Sequence, residues 1–361
     1  MGRVTLQTVA DKVGVSRMTV SNAFSRPDQL SAELRRTILA AADELGYIGP
    51  DPAARALARG TTGAVGVLLT ESVGTAFSDE IATGFFGALA EELAPTGLAV
   101  ALLPSVGSAG MVPARDIPMD GALVYACAGD TPALDWLIRR KLPLVFVDQV
   151  PPSAEFASVL LDDRGGGRHG AQHLLDLGHR HIGLLTMAAG WPSGLVHDPA
   201  TAGAGYVARE RVLGWMDVLA PAGVDVTAVQ VQENAEGDAY EGARLLLDTD
   251  ERPTAVLCFS DLMAWAVIHA AQDLGLRVPD QVSVVGFDDS SLASRIRPAL
   301  TTIRQDLAAK GRAAAGALTR AIDAARTGGD TLARPPQIRL ATSLVVRRST
   351  APPPGVVGSR T

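Results

Sequence analysis

The stretch VTLQTVADKVGVSRMTVSNAFS, residues 4–25, decides the fold of the amino-terminal part of this chain. Apolar residues recur in its first half at positions i, i+3, i+4 and i+7, which predicts a helix with one buried stripe. The stripe consists of Leu6, Val9, Ala10 and Val13. Gly14 then predicts the end of this helix, and Ser16 is suited to cap a second helix whose residues Val20 and Phe24 face inward. The pattern indicates two short helices joined by a tight turn.

The second of these helices presents polar and flexible side chains on the face opposite Val20 and Phe24. Arginine can make paired hydrogen bonds to guanine, asparagine can do so to adenine, and an apolar side chain can contact the methyl group of thymine. Arg17, Met18 and Asn22 are therefore candidate base-reading residues. In a helix-turn-helix the second helix enters the major groove of DNA. The alternative is a helical hairpin inside an all-α core, in which these side chains are only solvated.

Short motifs in and after this stretch resemble the amino-terminal part of the lac repressor / gal repressor family. They are V-T-L at 4–6, A-x-x-x-G-V-S-x-x-T-V-S at 10–21, L-G-Y at 45–47 and A-R-x-L at 54–57. The resemblance implies a bacterial transcriptional regulator with a DNA-binding head, a hinge, an effector-binding and dimerisation body, and a tail that we expect to be disordered. These segments are 1–48, 49–61, 62–349 and 350–361.

The resemblance also implies roles for individual residues of the head and hinge. Arg17 and Met18 occupy the positions of the family's main base readers, and Leu57 matches a leucine that the family inserts into the minor groove. The hinge offers only about two helical turns, too few to be stable alone in water, so we expect it to fold when paired with its twin from a second subunit on DNA. The expected DNA contacts are Thr5, Leu6, Ser16, Arg17, Met18, Thr19, Ser21, Asn22, Arg55 and Leu57.

Length and charge divide the chain in the same way. Its 361 residues exceed what one hydrophobic core usually serves, so two or three domains are expected. The net charge is −7, but residues 1–60 hold eight basic and six acidic side chains, so the excess positive charge lies in the head. An acidic body disfavours nonspecific binding to nucleic acid.

Two further features bear on the cellular compartment. Cys127 and Cys258 follow or lie within apolar, strand-like runs, which suggests no disulfide framework. The beginning MGRVTLQTVA has no apolar signal-peptide segment, and no run of about 18 apolar residues occurs that could span a membrane. We therefore expect a cytoplasmic protein that does not enter membranes.

From Gly63 onward, apolar strand-like runs alternate with helical segments. The runs are 64–69, 98–103, 121–126, 143–148, 157–162, 181–186, 255–259 and 282–288, and the helical segments are 79–94, 164–177, 203–220, 236–248 and 260–274. Continuous apolar strands with intervening helices indicate parallel sheets covered on both faces. The predicted fold class is therefore an all-α helix-turn-helix head followed by an α/β core of two doubly wound lobes.

Motifs in this body resemble the periplasmic-binding-protein-like fold that the family uses to sense small molecules. They are L-D-D-x-G-G-G at 161–167, R-V-L-G-W at 211–215, S-D-L-M-A at 260–264 and V-S-V-V-G-F-D-D at 282–289. Ligands of open α/β sheets bind beyond the carboxyl ends of the strands. Polar residues at these strand ends are therefore candidates for binding the effector. The expected effector contacts are Phe77, Asp148, Arg211, Ser260 and Asp288. Asp261 is expected to cap the helix that follows it.

Two motifs suggest other chemistry, and we reject both. Gly165, Gly167 and Gly170 satisfy G-x-G-x-x-G, but the two aspartates before them would repel a pyrophosphate, so no dinucleotide cofactor is expected. His169 and His173 share a helix face in a metal-like spacing, but they belong to a family segment in which they serve packing, so no metal is expected. No arrangement of nucleophile and base supports catalysis.

The resulting hypothesis is a homodimeric transcriptional regulator, a repressor of carbohydrate or related catabolic genes, that binds a near-palindromic operator. A sugar or sugar derivative is the expected effector. A solute receptor is a competing interpretation, disfavoured by the missing signal peptide and the fused head. An α/β enzyme such as a sugar kinase or dehydrogenase is another, disfavoured by the absence of a phosphate-binding loop.

Overall fold

The structure, a computed structural model, divides the chain into two units, Met1–Gly63 and Ala64–Thr361. It describes residues 4–49, 51, 56, 60–69, 73–105, 111–126, 131–328 and 334–355.

The head contains three helices in its described part: α1 (Leu6–Val13), α2 (Arg17–Ser25) and α3 (Ala32–Glu44). Each begins at a residue whose hydroxyl accepts a backbone N–H of the first turn, and these capping residues are Thr5, Ser16 and Ser31. Gly14 ends α1 with a φ of 76°, which a glycine adopts without strain. The fully buried core consists of Val9, Ala10, Val20, Ala23, Ile38 and Ala42.

One detail of this core differs from the expectation. Ala23 is fully buried beside Val20, whereas Phe24 is only partly buried and packs edge-on against Tyr47, with ring centroids 5.7 Å apart. The small side chain at position 23 lets the helices approach closely, and the larger ring covers the edge of the core.

The hinge prediction falls largely on residues 52–55 and 57–59. These lie outside the described residues, so Arg55 and Leu57 stay predictions.

The first sheet of the body has six parallel strands, in the order β12-β5-β4-β3-β1-β2. The strands are β1 (Ala64–Leu69), β2 (Ala99–Pro104), β3 (Gly121–Tyr125), β4 (Leu144–Val147), β5 (Ala157–Leu161) and β12 (Gln337–Leu340). One face packs against helices α5 (Glu80–Leu93) and α13 (Leu307–Thr327), and the other against α6 (Pro113–Asp116) and α7 (Pro132–Arg139). The short helix α4 (Val73–Ser78) precedes α5.

The second sheet has five strands in the order β10-β9-β6-β8-β7. They are β6 (His181–Met187), β7 (Gly194–Val196), β8 (Asp225–Val231), β9 (Ala255–Cys258) and β10 (Ser283–Val285), and only β7 is antiparallel to its neighbour. Helices α8 (Asp163–Asp176) and α9 (Tyr206–Leu219) cover one face, and α10 (Glu236–Leu247) and α11 (Asp261–Asp273) cover the other. The expected pair of doubly wound lobes is confirmed.

The chain passes between the two lobes three times, after β5, before α13 and after β12. The short helix α12 (Ser291–Arg295) and a two-stranded antiparallel sheet, β11 (Thr302–Arg304) with β13 (Ser343–Val345), lie beside these crossings. Residues at the carboxyl ends of strands in both lobes therefore come close to the connections that join the lobes.

The beginning of the expected tail belongs to the body. Thr350 Oγ1 lies 2.9 Å from His173 Nε2, and the carbonyl oxygen of Ala351 lies 2.9 Å from His179 Nε2. Ser283 also exchanges hydrogen bonds with Ala351. The boundary at Ser349 is thus too early, because these residues fill polar sites on the second lobe.

Candidate functional site

Helix α2 places a polar surface opposite its buried residues. Val20 and Ala23 face the core, while Arg17 is exposed and Met18 is 70% exposed on the first turn. Asn22 is half-buried, and its Nδ2 donates a hydrogen bond to Gln29 Oε1 over 3.1 Å. Arg17 and Met18 are thus accessible on the first turn of the second helix, and base reading by them in the major groove stays a prediction.

The hydroxyl residues of the head surround the two helix N-termini. Thr5 and Thr8 exchange hydrogen bonds between their side chains and backbone N–H groups, and this capping box stabilises the N-terminus of α1. The Ser16 and Thr19 hydroxyls lie 2.8 Å apart at the start of α2, and Ser21 is half-buried further along it. Helix N-termini with polar side chains are suitable partners for phosphate groups.

Leu6, an expected DNA contact, is only partly buried, and its contact with DNA stays a prediction. It packs against the core of the head beside Val9 and Ala10. The apolar stripe of α1 explains this, because the first residue of the stripe covers the same core.

In the body, Arg211 occupies a buried position between two strand ends of the second lobe. Its side chain is 4% exposed; Nε donates to Asp163 Oδ1 over 2.9 Å, and Nη1 lies 3.4 Å from Asp288 Oδ1. Nη1 also donates to the carbonyl oxygen of Phe259. The guanidinium carbon lies 3.6 Å from the centroid of the Phe287 ring, so this arginine stacks on an aromatic face as well.

Lys310 and Gln305 extend this cluster into the first lobe. Lys310 Nζ donates to Asp148 Oδ2 and to Gln305 Oε1, each over 2.8 Å. Gln305 Nε2 in turn donates to Asp288 Oδ1 over 2.7 Å. We call the resulting chain of contacts the interlobe network; its members are Asp148, Lys310, Gln305, Asp288, Arg211 and Asp163.

Two members of the interlobe network hold unusual backbone conformations. Asp148 has a φ of 56° and Asp288 a φ of 118°, in the left-handed region that favours glycine. Each follows directly on a strand or its extension; the Asp148 carboxylate accepts a hydrogen bond from Lys310 of the same lobe, and the Asp288 carboxylate accepts one from Gln305. Such strain is typical of functional sites.

Burial controls the ionisation of these groups. It raises the pKa of Asp288 well above its usual range against the opposing charge of Arg211, and nearby Asp261 adds to the rise. Burial likewise raises the pKa of Asp163 and raises that of Asp261 to about 6. Burial acts to lower the pKa of Arg211, but the charges of Asp288 and Asp163 outweigh it and the pKa is raised.

The cleft beside the network has a volume of about 390 Å³ and is lined from both lobes. Glu80, Thr83 and Gly84 line it from α5, and Asp288 and Gln305 line it from the network. At its edge Glu80 Oε1 accepts the backbone N–H of Ser291 over 2.9 Å, a direct contact between the lobes.

Two expected effector residues are not part of the network. Ser260 caps α11, and its hydroxyl donates to Asn234 Oδ1 over 2.6 Å. Phe77 lies on α4 and is 59% exposed. Asp261 does not cap α11; its Oδ2 accepts the backbone N–H and the hydroxyl of Ser290, because Ser260 already fills the capping position.

Asp163, Gln305 and Lys310 were not among the sequence candidates. Asp163 could have been found from its motif, since it lies two residues after β5 in L-D-D-x-G-G-G, at the start of α8. Gln305 follows β11, a strand of three residues that the sequence pattern does not reveal. Lys310 had no usable signal, because a lysine in an alanine-rich helix ordinarily faces water.

The glycine and histidine motifs have structural roles. A Cβ on Gly167 would lie 2.6 Å from the carbonyl oxygen of Arg211, so this glycine permits the close packing of α8 against α9. His173 and His179 contact Thr350 and Ala351, respectively, on the second lobe. Among the described residues, no group of three or more His, Cys, Asp or Glu side chains is placed to hold a metal ion. Within the same residues no helix is both long and apolar enough to span a membrane.

Two family descriptions match this chain. Residues 5–49 match "Bacterial regulatory proteins, lacI family", and residues 171–350 match "Periplasmic binding protein-like domain". The first covers the three helices of the head, and the second covers most of the second lobe together with α13 and β12 of the first lobe.

Similar proteins extend the match over nearly the whole chain. An HTH-type transcriptional regulator of Mycolicibacterium smegmatis is 40% identical over 333 residues, covering 86% of this chain and 89% of that protein. The structure of the lac repressor dimer bound to operator and the anti-inducer ONPF is 25% identical; the match covers 97% of this chain and 100% of that one and has a TM-score of 0.77. The transcriptional regulator CelR–cellobiose complex is 28% identical over 96% of this chain and 100% of that one, with a TM-score of 0.68.

These relatives are named as regulators and not as enzymes. The helix-turn-helix head, the two-lobed body and the similarity over most of the chain agree, and the chain therefore belongs to the LacI family of DNA-binding transcriptional regulators.

Proposed function

We propose that this regulator is a homodimeric repressor that binds a near-palindromic operator and responds to a sugar or sugar derivative bound between its lobes. The observation that carries the proposal is the interlobe network. It runs without a break from Asp148 in the first lobe to Arg211 and Asp163 in the second. A ligand that contacts these groups contacts both lobes at once, so its binding energy can shift their arrangement.

The chemistry of the network suits hydroxyl groups. Carboxylates accept hydrogen bonds from vicinal hydroxyls, and a site built for such donors discriminates against analogues that lack them because its buried acceptors are then left unpaired. The similar structure of a CelR–cellobiose complex supports this ligand class.

On the DNA side, Arg17, Met18 and Asn22 are the proposed base readers, and the hydroxyls of Thr5, Ser16, Thr19 and Ser21 are proposed phosphate contacts. The lac repressor structure in complex with its operator supports a dimer that reads two half-sites. We propose that Arg55 and Leu57 lie in a hinge that folds on the DNA, with Leu57 entering the minor groove. A regulator of this kind acts in the cytoplasm, where the chromosome is.

A mobility-shift assay with the DNA upstream of the protein's own gene tests the proposal. We expect a dimeric complex that resists competition by unrelated DNA and whose affinity changes with one compound from a panel of sugars. Leu57→Ala should weaken binding to the specific site while leaving binding to unrelated DNA unchanged. Binding that is equal on specific and unrelated DNA, or a monomeric complex, would contradict the proposal.

A further inference from the structure

We infer that Gln29 positions the side-chain amide of Asn22 for reading DNA, and that Asn22 so held selects adenine over guanine at one position of each half-site. Gln29 acts through Asn22 and is assigned no contact with a base. The inference rests on the proposed function, because it takes Asn22 as a base reader. It adds a positioning residue that lies outside α2 and names the base that the pair selects.

The Asn22 side chain is held from outside its own helix. Its Nδ2 donates a hydrogen bond to Gln29 Oε1 over 3.1 Å. Asn22 lies four residues after Met18, so the two side chains share one face of α2. Asn22 is half-buried and Gln29 is exposed. The contact therefore lies at the surface, on the face of α2 that carries the exposed Met18.

The backbone at Gln29 is fixed by its neighbours in the chain. Pro27–Gln29 form a short 3-10 helix, and the N–H of Gln29 donates to the carbonyl oxygen of Arg26 over 3.1 Å. The N–H of Arg26 in turn donates to the carbonyl oxygen of Asn22 over 2.8 Å. Leu30, the next residue, packs against the core of the head. Gln29 Oε1 is thus offered to Asn22 from a segment that is anchored at both ends.

The hydrogen bond determines which groups Asn22 presents to a ligand. An asparagine amide carries two N–H groups and one carbonyl oxygen, so the bond to Gln29 leaves one N–H and Oδ1. In the major groove adenine presents the acceptor N7 beside the N6 donor, which matches such a donor and acceptor. Guanine presents the two acceptors N7 and O6, so Oδ1 would face an acceptor. Asn22 held in this orientation favours adenine.

The contribution of Gln29 is to fix the orientation before DNA binds. The last torsion of an asparagine side chain is broad and roughly two-fold, so an unrestrained amide can turn its N–H groups toward guanine as well. A group that is already ordered also avoids the entropy cost of being ordered on binding. Loss of the Gln29 acceptor should therefore reduce base discrimination more than it reduces overall DNA affinity.

The test measures discrimination at one position, defined as the ratio of the dissociation constants for guanine and adenine operators. The full-length protein first selects its operator from duplexes of random sequence. Mobility-shift assays then compare the four bases at every position of the selected operator. Asn22→Ala identifies the relevant position as the one at which this variant loses the preference for adenine.

Two variants at Gln29 test the role of its acceptor oxygen. Gln29→Met keeps a similar shape but offers only a weak thioether acceptor, so we expect discrimination at the Asn22 position to fall about three- to tenfold. Gln29→Glu keeps an acceptor oxygen and adds a negative charge near the phosphates. It should weaken binding to all DNA but retain discrimination within about twofold of the wild type. An equal loss of discrimination in both variants would overturn the inference.

Two controls separate positioning from folding. Neither Gln29 variant should change the base preference at the position read by Arg17. Both variants should unfold at the temperature of the wild type, because Gln29 is exposed. A loss of preference at every position of the operator would show that Gln29 supports the whole head and not Asn22, and would overturn the inference.

The double variant Asn22→Ala/Gln29→Met gives an independent measurement. Because Gln29 acts only through Asn22, Gln29→Met should leave the base preferences of Asn22→Ala unchanged. A further loss of preference in the double variant would show that Gln29 reads a base directly, which contradicts a positioning role.

The remaining failures are distinguishable. If Gln29→Met retains the preference for adenine that Asn22→Ala loses, or if the wild type prefers guanine at this position, the inference is overturned and the proposed repressor stands. If Asn22→Ala changes no base preference, Asn22 is not a base reader, and the inference falls with that assignment. If the full-length protein selects no sequence from the random duplexes, the proposed operator binding is itself contradicted.

Discussion

Lys310 Nζ donates a hydrogen bond to Asp148 Oδ2 over 2.8 Å, and the two side chains are 1% and 7% exposed. They are 162 residues apart in the chain, on α13 and after β4. A buried ion pair contributes little net stability, but loss of one partner leaves the other charge unpaired in a poorly solvated place.

Lys310→Met should therefore lower the free energy of unfolding by about 3–5 kcal/mol, because Asp148 is left as a buried charge without its cation. Urea denaturation followed by circular dichroism measures this change. The double variant Lys310→Met/Asp148→Asn should recover most of the loss. A single variant as stable as the wild type would show that the pair is solvated and not buried.

Arg17→Ala should weaken binding to the best operator by about 1–3 kcal/mol and relax base preference at one position of each half-site. The physical reason is the loss of paired hydrogen bonds to a base edge. A mobility-shift series on operator variants measures both effects.

The matched control is Arg36→Ala on α3, where an exposed arginine of the same charge is removed. We expect it to leave base preference unchanged. Equal behaviour of the two variants would place base recognition elsewhere in the head.

Asp261 should make stability depend on pH between about pH 4 and pH 6. Its pKa in the folded chain is about 6, raised by burial above its ordinary value, so the folded state binds a proton in this window that the unfolded state has released. Stability is consequently lost as the pH rises through the window, by about 2–3 kcal/mol for this group.

The measurement compares the unfolding free energy of the wild type with that of Asp261→Asn from pH 4 to pH 7. The difference between them should shift in favour of the variant as the pH rises. A difference that is constant across this range would show that Asp261 keeps an ordinary pKa.

Gly214→Ala should destabilise the body by about 1–3 kcal/mol or more, because overpacking a tight contact forces the backbone apart. A Cβ at this position would lie 2.2 Å from the backbone oxygen of Arg164, where α8 packs against α9. Since α9 carries Arg211, we expect effector binding to weaken too.

Gly237→Ala is the control, because a Cβ there meets no atom within 4 Å on helix α10. It should be neutral or stabilising by about 0.5–1 kcal/mol. Thermal unfolding of the two variants separates the packing effect from helix propensity; equal melting temperatures would contradict the close contact.

Much of the architecture was predictable from local patterns. The apolar run 64–69 coincides with β1, and Ser16 before α2 is the cap that its position suggested. Arg211 and Asp288 could be predicted because each belongs to a recognisable motif, Arg211 on a helix and Asp288 after a strand. The structure brings their side chains together. Local signals suffice where the determining contacts are a few residues apart.

The features that the sequence did not predict depend on contacts between segments far apart in the chain. Strand β12 has four residues and exists because it pairs with β5, far earlier in the chain. Ser260 was a reasonable polar candidate at a strand end, but the same position also suits a helix cap, and the cap is what the structure has. The burial of Lys310 follows from the sheet that α13 covers, which its own residues do not reveal.

The three crossings between the lobes have a consequence for synthesis of the protein. The first sheet begins with Ala64 but receives its last strand only at Gln337–Leu340, and the small sheet at the crossings needs Ser343–Val345. The helices that carry the DNA-reading surface, in contrast, are complete by Glu44. A polypeptide truncated during translation would retain those helices but lack the strands that finish the sensor. Premature termination would therefore yield fragments with a DNA-facing surface and no means of responding to a metabolite.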